Sequence, residues 1–509
     1  MKKSIIILIL FLGSTAHLFS QTVNGEILSD TNNVTIVKLW GNSEERGFAY
    51  GYLIGDKIHS LVEGFMIPFF GVDDWQAAKD LIEEGVSIQI DSAYQDEARA
   101  IIDGMDAAGW NTAGYSYLDI LAANCWHDLG YWPFNKGKSG FNCSTFMNWN
   151  EATAGTDLDG CSVISRHYDG YWANMQYVYD NAVIVIHIPF EVDQQPWLSI
   201  GYAGEMGPNN GINLNGLSMF SNGMGPYPWV PDTTEGYEPI KFTFRKALES
   251  SDYNQDGVNN MLDIRDAISS NPQGYSDGWS FSALAPSTAI YDSLIALVAE
   301  VAPQEPFITF RTNSYNDTIP GDNLYAANSQ IKRNDNRNYC GRYLDIVNNM
   351  GPGTNIGSQQ NWDLMRDYSN GGASSLMFMQ YIPEWNQLKL SVHQNGTGAY
   401  LHDPITYDVS EFFSFPAAIT EGKMLTNKLI ISPNPMESST QIEYVLYDNS
   451  SVSIKIIDLS GRVIATLVNK FQQQGKQKVA FNGSTLPAGI YFCVLQTKEG
   501  IQTRKIIKH

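Results

Sequence analysis

Two runs of β-branched, aromatic and small residues flank a turn-rich stretch near the first third of the chain. The first is Asn142-Cys143-Ser144-Thr145-Phe146-Met147-Asn148-Trp149 and the second runs from Cys161 to Asp169 as Cys-Ser-Val-Ile-Ser-Arg-His-Tyr-Asp. Between them lies Ala152 to Gly160, rich in Gly, Asp and Thr. This is the pattern of an antiparallel hairpin with a long loop. Pairing in such a hairpin is symmetric about its turn, and positions 143 and 169 are equidistant from 156. Local pairing alone therefore sets Cys143 across from Arg166 to Asp169, bringing together a thiol, a guanidinium and a carboxylate. A cationic neighbour lowers a thiol's pKa and makes it nucleophilic, which points to an enzyme. Cys161 is the rival thiol. Arg166 lies only five residues further along its own strand, and no Arg-x-x-Asp follows on a partner strand, so Cys143 is preferred.

The 509 residues exceed one ordinary domain, so two or more folded units are expected. With 43% hydrophobic and 17% charged residues the chain builds a large core. Its net charge of −22 argues against nucleic acid or an anionic membrane surface as partner. Met1-Lys2-Lys3, the apolar run Ile5 to Leu12 and the small-residue exit to Ser20 read as a signal peptide over 1–20. That run is too short to span a bilayer, and no transmembrane segment is read elsewhere. Five Cys in an exported chain permit disulfides but leave at least one thiol unpaired.

Strands are read at Val34 to Trp40, Ala182 to Ile188 and Trp197 to Tyr202, and strand character over Glu305 to Tyr325 and Ser375 to Val392. Helices are read over 41–58 after a turn, at Tyr94 to Gly109 and Tyr117 to Trp126, and then at Lys241 to Ser251 and Asn260 to Ser269. This alternation predicts a layered α+β sandwich. After a weakly patterned linker over 416–428, the charge balance changes. From Leu429 to His509 there are nine Lys/Arg against five Asp/Glu, a net +4, which leaves −26 before it. Short alternating strands at Thr440, Ser451, Arg462, Gln477 and Gly489 predict a small all-β sandwich over 429–509. Its order, Ile431-Ser-Pro433-Asn434-Pro435, then "VSIKIIDLSGRVI", then "LPAGIYFCVLQT" and a basic end, resembles a type A sorting domain of the type IX secretion system. The resemblance implies the type IX secretion machinery as partner. The destination would be the medium or the cell surface, after export across the outer membrane of a Gram-negative bacterium.

The rest of the chain resembles the N-terminal nucleophile hydrolases, closest to the acyl-coenzyme A:6-aminopenicillanate acyltransferase-like (C45) group. The motifs that carry it are Gly41-x-x-x-Glu45-Arg46-Gly47-x-x-x-Gly51, Glu97 to Gly109 with Leu118 to Asn124, and the Cys143 hairpin. Gly204-x-x-Gly207 with Gly211-Ile212-Asn213-x-x-Gly216-Leu217 follows, and last come Ala327-Asn328-Ser329 and Arg342-Tyr343. The resemblance implies a four-layer αββα sandwich cut by itself between Asn142 and Cys143. The α chain would then be 21–142 and the β chain domain 143–415. The freed amine, titrating near 8, would be the base for its own thiol. Arg166 would stabilise the thiolate and Asp169 bind the amine. Asn328 would donate to the oxyanion, a contact worth about 3–4 kcal/mol. Arg342 would hold a substrate carboxylate or brace a helix.

Three departures from the family pattern stand at the site: Asn142 where Gly is usual before the nucleophile, His167 where Asn is frequent, and a hairpin loop several residues longer than expected. The implied activity is hydrolysis or acyl transfer at a non-peptide amide of a small N-acyl or lipid-like substrate, with no cofactor for catalysis. The alternatives are a phospholipase B-like ester hydrolase on the same fold and a catalytically silent secreted binding protein.

A second motif stands apart. Asp252, Asn254, Asp256 and Asp263 occupy positions 1, 3, 5 and 12 of a loop with Gly257 at 6, the oxygen pattern of a structural Ca²⁺ loop. No metal spacing among the eight His and no phosphate-binding Gly loop is found.

Overall fold

The computed structural model describes residues 22–129, 143–170, 173–191, 193–224, 235–288, 294–312, 319–333, 340–414, 429–446, 449–458, 463–484, 486–487, 489–497 and 500–508. The leader, Asn142 and the linker 416–428 lie outside them. The protein is a mixed α+β fold with several sheets and an all-β C-terminal region.

Nine strands form the larger sheet. In spatial order they are Gly25–Thr31, Val34–Gly41, Ala182–Pro189, Trp197–Tyr202, Asn210–Asn213, Ser218–Gly223, Trp279–Leu284, Ala296–Val301 and Ile308–Thr312. All neighbours pair antiparallel except Val34–Gly41 with Ala182–Pro189. A second sheet orders Asn323–Ala326, Ser144–Asn148, Val163–Asp169, Ser375–Ile382, Gln387–Val392 and Ile405–Asp408. Ala182–Pro189 and Ser375–Ile382 are buried along their whole length. Continuous burial of that kind means both faces of the strand are covered.

Helices cover the outer face of the larger sheet. Ser43–Leu61 starts at a capping box of Asn42 and Glu45, so Glu45 of the opening motif serves a helix end. The glycines of that motif serve a helix crossing. A Cβ on Gly51 would stand 1.9 Å from Ile101 O, and one on Gly104 would stand 2.1 Å from Phe48 O, so Ser43–Leu61 and Ser92–Ala108 cross backbone to backbone. Ile240–Glu249 joins the same layer, with Arg245 of that helix paired to Glu97 at 2.7 Å and Phe244 packed on Phe281. On the outer face of the second sheet lie Gly341–Asn349 and Ser358–Tyr368, where Trp362 covers Phe378 with ring centroids 3.8 Å apart. The two inner sheet faces meet at Thr145 and Arg166 from one sheet and Asn222 from the other.

The C-terminal region has two sheets, one of Ile430–Ser432, Ser439–Leu446 and Gly475–Asn482. The other orders Val463–Gln472, Ser450–Asp458, Gly489–Thr497 and Gly500–Lys508. Here burial alternates: Thr440, Ile442, Tyr444 and Leu446 are inside, as are Val452, Ile454 and Ile456. Alternation marks strands with one face in solvent.

Sequence and structure differ in several places. The mostly exposed strand Gly25–Thr31 is not read from sequence, nor is the helix Val72–Glu84, although its buried Trp75, Ala78 and Ile82 stand at helical spacing. The strand character over Glu305 to Tyr325 resolves into Ile308–Thr312 and Asn323–Ala326, which belong to different sheets. Among the described residues no helix is long and apolar enough to cross a membrane.

Candidate active site

The hairpin forms with its centre between Gly155 and Thr156, one residue of register from the pairing of 143 with 169: Ser144 stands opposite His167 and Thr145 opposite Arg166. Cys143 immediately precedes the first strand and is 1% exposed. Arg166 Nη2 reaches its Sγ at 3.4 Å, and the thiol donates to Asp169 O at 3.8 Å. Arg166 and Asp169 are fully buried.

Arg342, from the helix Gly341–Asn349, closes the cluster. Its Nη1 is 3.4 Å from Asp169 Oδ2, its Nη2 donates to Cys143 O at 3.2 Å, and Nη2 also donates to Asn328 Oδ1. Asn328 Nδ2 donates to Gly223 O. The five residues singled out in sequence thus converge, and Arg342 is engaged by protein acceptors. Asn142 lies outside the described residues.

Burial pushes the Cys143 thiol up, with Arg166 opposing, so the thiol is neutral. Burial likewise pushes Asp169 up to about 7, against the pull of Arg342 and Arg166. His167 falls to about 3 through burial; its ring stacks on Phe378 and its Nε2 meets Met365 O at 3.0 Å. It is a neutral packing ring. Burial raises the Cys161 thiol, and the carboxylates of Glu384 and Asp159 raise it further. Cys125 and Cys493 are core residues, and none of the five Cys is in a disulfide.

Sequence reading missed Asn222, on the strand Ser218–Gly223. It accepts from Arg166 Nη1 at 3.3 Å and Thr145 Oγ1 at 3.2 Å. A guanidinium only donates, so the atom facing it is Oδ1, and Nδ2 is left as a buried donor without a partner. Arg166 Nε and Asp169 Oδ1 are also buried without a well-formed hydrogen bond, and the Ser375 hydroxyl beside the Asp169 carboxyl, itself unpaired, pulls that group down against burial. Nothing in the local pattern Ser-Met-Phe-Ser-Asn-Gly signals this role, because it arises from one sheet facing the other.

The loop Asp252 to Asp263 uses its oxygens on backbone N–H groups. Asp252 Oδ2 accepts from Gly257 N at 2.9 Å, Asn254 Oδ1 from Asp256 N, and Asp256 Oδ1 from Val258 N. Asp263 accepts from Tyr253 N, Asn254 N and Asn260 N, the last as the capping box of the helix Met261–Ser269. Among the described residues no group of three or more His, Cys, Asp or Glu is arranged to hold a metal.

Residues 430–509 match the family described as the secretion system C-terminal sorting domain. The tail is an export signal. It directs the chain across the outer membrane, to the cell surface or beyond. No curated protein matches the chain. Among solved structures it is similar to a Caenorhabditis elegans N-acylethanolamine-hydrolyzing acid amidase ortholog, with 13% identity, a TM-score of 0.33, and coverage of 47% of this chain and 93% of that one. It is similar also to a mutant conjugated bile acid hydrolase from Clostridium perfringens, with 9% identity, a TM-score of 0.32, and coverage of 54% and 95%. Dimeric latent PorU from Porphyromonas gingivalis gives 9% identity and a TM-score of 0.15, with coverage of 74% and 30%. Scores of this size do not establish a shared fold.

Proposed function

We propose that this is an exported N-terminal nucleophile hydrolase, a four-layer αββα sandwich with a sorting tail. It cuts itself between Asn142 and Cys143, then cleaves a non-peptide amide of an N-acyl substrate through a thioester on Cys143. The observation that supports this reading is the set of three unpaired buried atoms around the thiol: Arg166 Nε, Asp169 Oδ1 and Asn222 Nδ2. An unpaired buried polar atom costs about 1–3 kcal/mol, so three around one nucleophile suit a site whose partners arrive later.

The chemistry follows from their positions. Once Asn142 leaves, the amine of Cys143 takes the thiol proton, and Asp169 Oδ1 accepts a hydrogen bond from the resulting ammonium. Arg166 faces the thiolate, which adds to the substrate carbonyl carbon. The negative oxygen takes donors from Asn222 Nδ2 and from the second N–H of Asn328 Nδ2, each worth about 3–4 kcal/mol in sites of this kind. The ammonium returns its proton to the leaving nitrogen, the C–N bond breaks, and a thioester remains. Water, deprotonated by the same amine, adds to that thioester and the C–S bond breaks; an amine acceptor in place of water gives acyl transfer. Arg342 is the brace that fixes Asp169, the Cys143 carbonyl and Asn328 together.

Denaturing electrophoresis with N-terminal sequencing tests the reading. A fragment beginning at Cys143, absent from Cys143→Ala, is the expected result. A chain that stays intact while turning over substrate refutes self-cleavage, and a cut before Cys161 refutes the choice of thiol.

A further inference from the structure

Behind the Arg166 guanidinium lies a second buried polar set that the reaction above does not use. Lys241 Nζ, from the helix Ile240–Glu249, meets Glu205 Oε1 at 2.5 Å and Tyr202 OH at 3.1 Å. Asn209 Nδ2 donates to the same Glu205 oxygen at 2.6 Å and to Tyr168 OH at 3.1 Å. Tyr168 then presents its ring to Arg166, with the guanidinium carbon 5.2 Å from the centroid. All of these side chains are 3% exposed or less. Glu205 is seated in a slot that only glycine leaves open, since a Cβ on Gly201 would stand 1.7 Å from its Oε2.

A buried Lys–Glu pair is a weak stability device, because apolar side chains of similar volume often serve as well. It does, however, fix a carboxylate in one place, and here that carboxylate orients Asn209. Arg166 needs such support. Its own partners are a sulfur, one carboxamide oxygen and the ring of Tyr168, and its Nε has none. The negative face of an aromatic ring attracts a guanidinium, more strongly where water is excluded.

Building on the reading of Cys143 and Arg166 above, we propose that Tyr168 is a positioning residue for Arg166, its phenol held by Asn209 from the Glu205–Lys241 pair. The pair thereby sets where the guanidinium stands relative to Sγ. Neither Tyr168 nor the pair touches the reacting atoms.

The test follows conversion of the full chain to its two-chain form over time, at a series of pH values, beside thermal melts. Tyr168→Leu removes the ring, Tyr168→Phe keeps it and drops the tie, and the double variant Glu205→Gln/Lys241→Met removes the pair without leaving a lone charge. Tyr168→Leu is expected to slow conversion at least about tenfold, as a small misplacement of a reacting group does. It should also move the half-maximal pH upward, because a thiol that loses its cation titrates higher. The double variant and Tyr168→Phe should fall between it and the unaltered chain. If Tyr168→Leu does not fold, Tyr168→Phe and the double variant carry the comparison. An unmoved pH midpoint, with rates that follow melting temperature alone, reduces the set to a structural role and overturns the proposal. Arg166→Met separates the two readings: conversion that persists in it, or in Cys143→Ala, overturns the assignment of the nucleophile site instead.

Discussion

Gly371 offers a way to displace Asp169 without touching its chemistry. It precedes the strand Ser375–Ile382 and has φ −88° and ψ 12°, a conformation open to any residue. Backbone freedom is therefore not its reason for being glycine. A Cβ there would stand 2.3 Å from Asp169 Cγ, 2.5 Å from Oδ2 and 2.7 Å from Oδ1. Nonbonded carbons rest about 3.5–4.0 Å apart, so Gly371→Ala forces the carboxylate back by roughly 1 Å. Oδ2 is the atom that Arg342 holds, so the brace is disturbed as well. Overpacking of this kind costs about 1–3 kcal/mol, within the ~5–15 kcal/mol that holds a domain together. The variant should fold, while a displacement of about 1 Å at a reacting group costs on the order of a hundredfold in rate. Fragment formation on denaturing gels and turnover of the mature form should both fall by about that factor. Gly372→Ala is the control. Its φ is +62° with nothing within 4 Å of the new Cβ, so it strains the backbone by roughly 1–2 kcal/mol and leaves the carboxylate alone. Gly371→Ala cleaving at the unaltered rate would refute the claim that Asp169 must stand where it does.

Three further outcomes are expected. Asp169 holds its proton up to about pH 7 in the uncut chain, whereas the unfolded carboxyl loses it near 4. Stability should therefore drop as pH rises from about 4 to about 7, by roughly 4 kcal/mol at one pKa unit per 1.36 kcal/mol. Melts of Cys143→Ala with and without Asp169→Asn check it, parallel curves being the contrary result. Glu300 takes Arg311 Nε, Ile331 N, Lys332 N and Arg333 N on its two oxygens and so fixes the loop that carries Asn328. Glu300→Ala strands a buried guanidinium and should cost about 3–5 kcal/mol, read by denaturant unfolding; a loss under about 1 kcal/mol contradicts it. Calcium at Asp252, Asn254, Asp256 and Asp263 is proposed as structural, so calcium over chelator should raise the melting temperature of the unaltered chain and not that of Asp252→Asn; equal melts with and without the ion dismiss the site.

How much of this was legible in the sequence depended on sequence distance. The hairpin was, to within one residue of register, because its pairing is symmetric about its own turn, and Thr145 opposite Arg166 shares the centre that Ser144 opposite His167 has. The tail was legible too, since one solvated face writes a period of two into its strands. Asn222, Gly371 and Glu300 were not. Their roles come from one sheet facing another, a loop touching a strand end, and a carboxylate gathering the N–H groups of a distant loop. None of these leaves a local pattern. The opening motif was recognised while its physical reason was not: Glu45 caps a helix and Gly51 admits another.

The same long-range placements separate the candidate site from two buried polar clusters elsewhere in the fold. Around Glu300 every carboxylate oxygen has its donors, and Arg245 directs its nitrogens to Glu97, Glu249 and Met206 O. The Glu300 carboxylate and the Arg245 guanidinium are thus paired within the protein. Around Cys143 the hairpin supplies thiol, guanidinium and carboxylate, and Asn222 arrives from the facing sheet, yet a donor or acceptor of each of the last three stays unpaired. Each such atom costs folding about 1–3 kcal/mol, and nothing in the uncut chain offsets it. A terminal ammonium beside Asp169 Oδ1 and an oxyanion beside Asn222 Nδ2 would satisfy two of the three, and in the proposed reaction these species would arise only once the chain is cut and a substrate is bound.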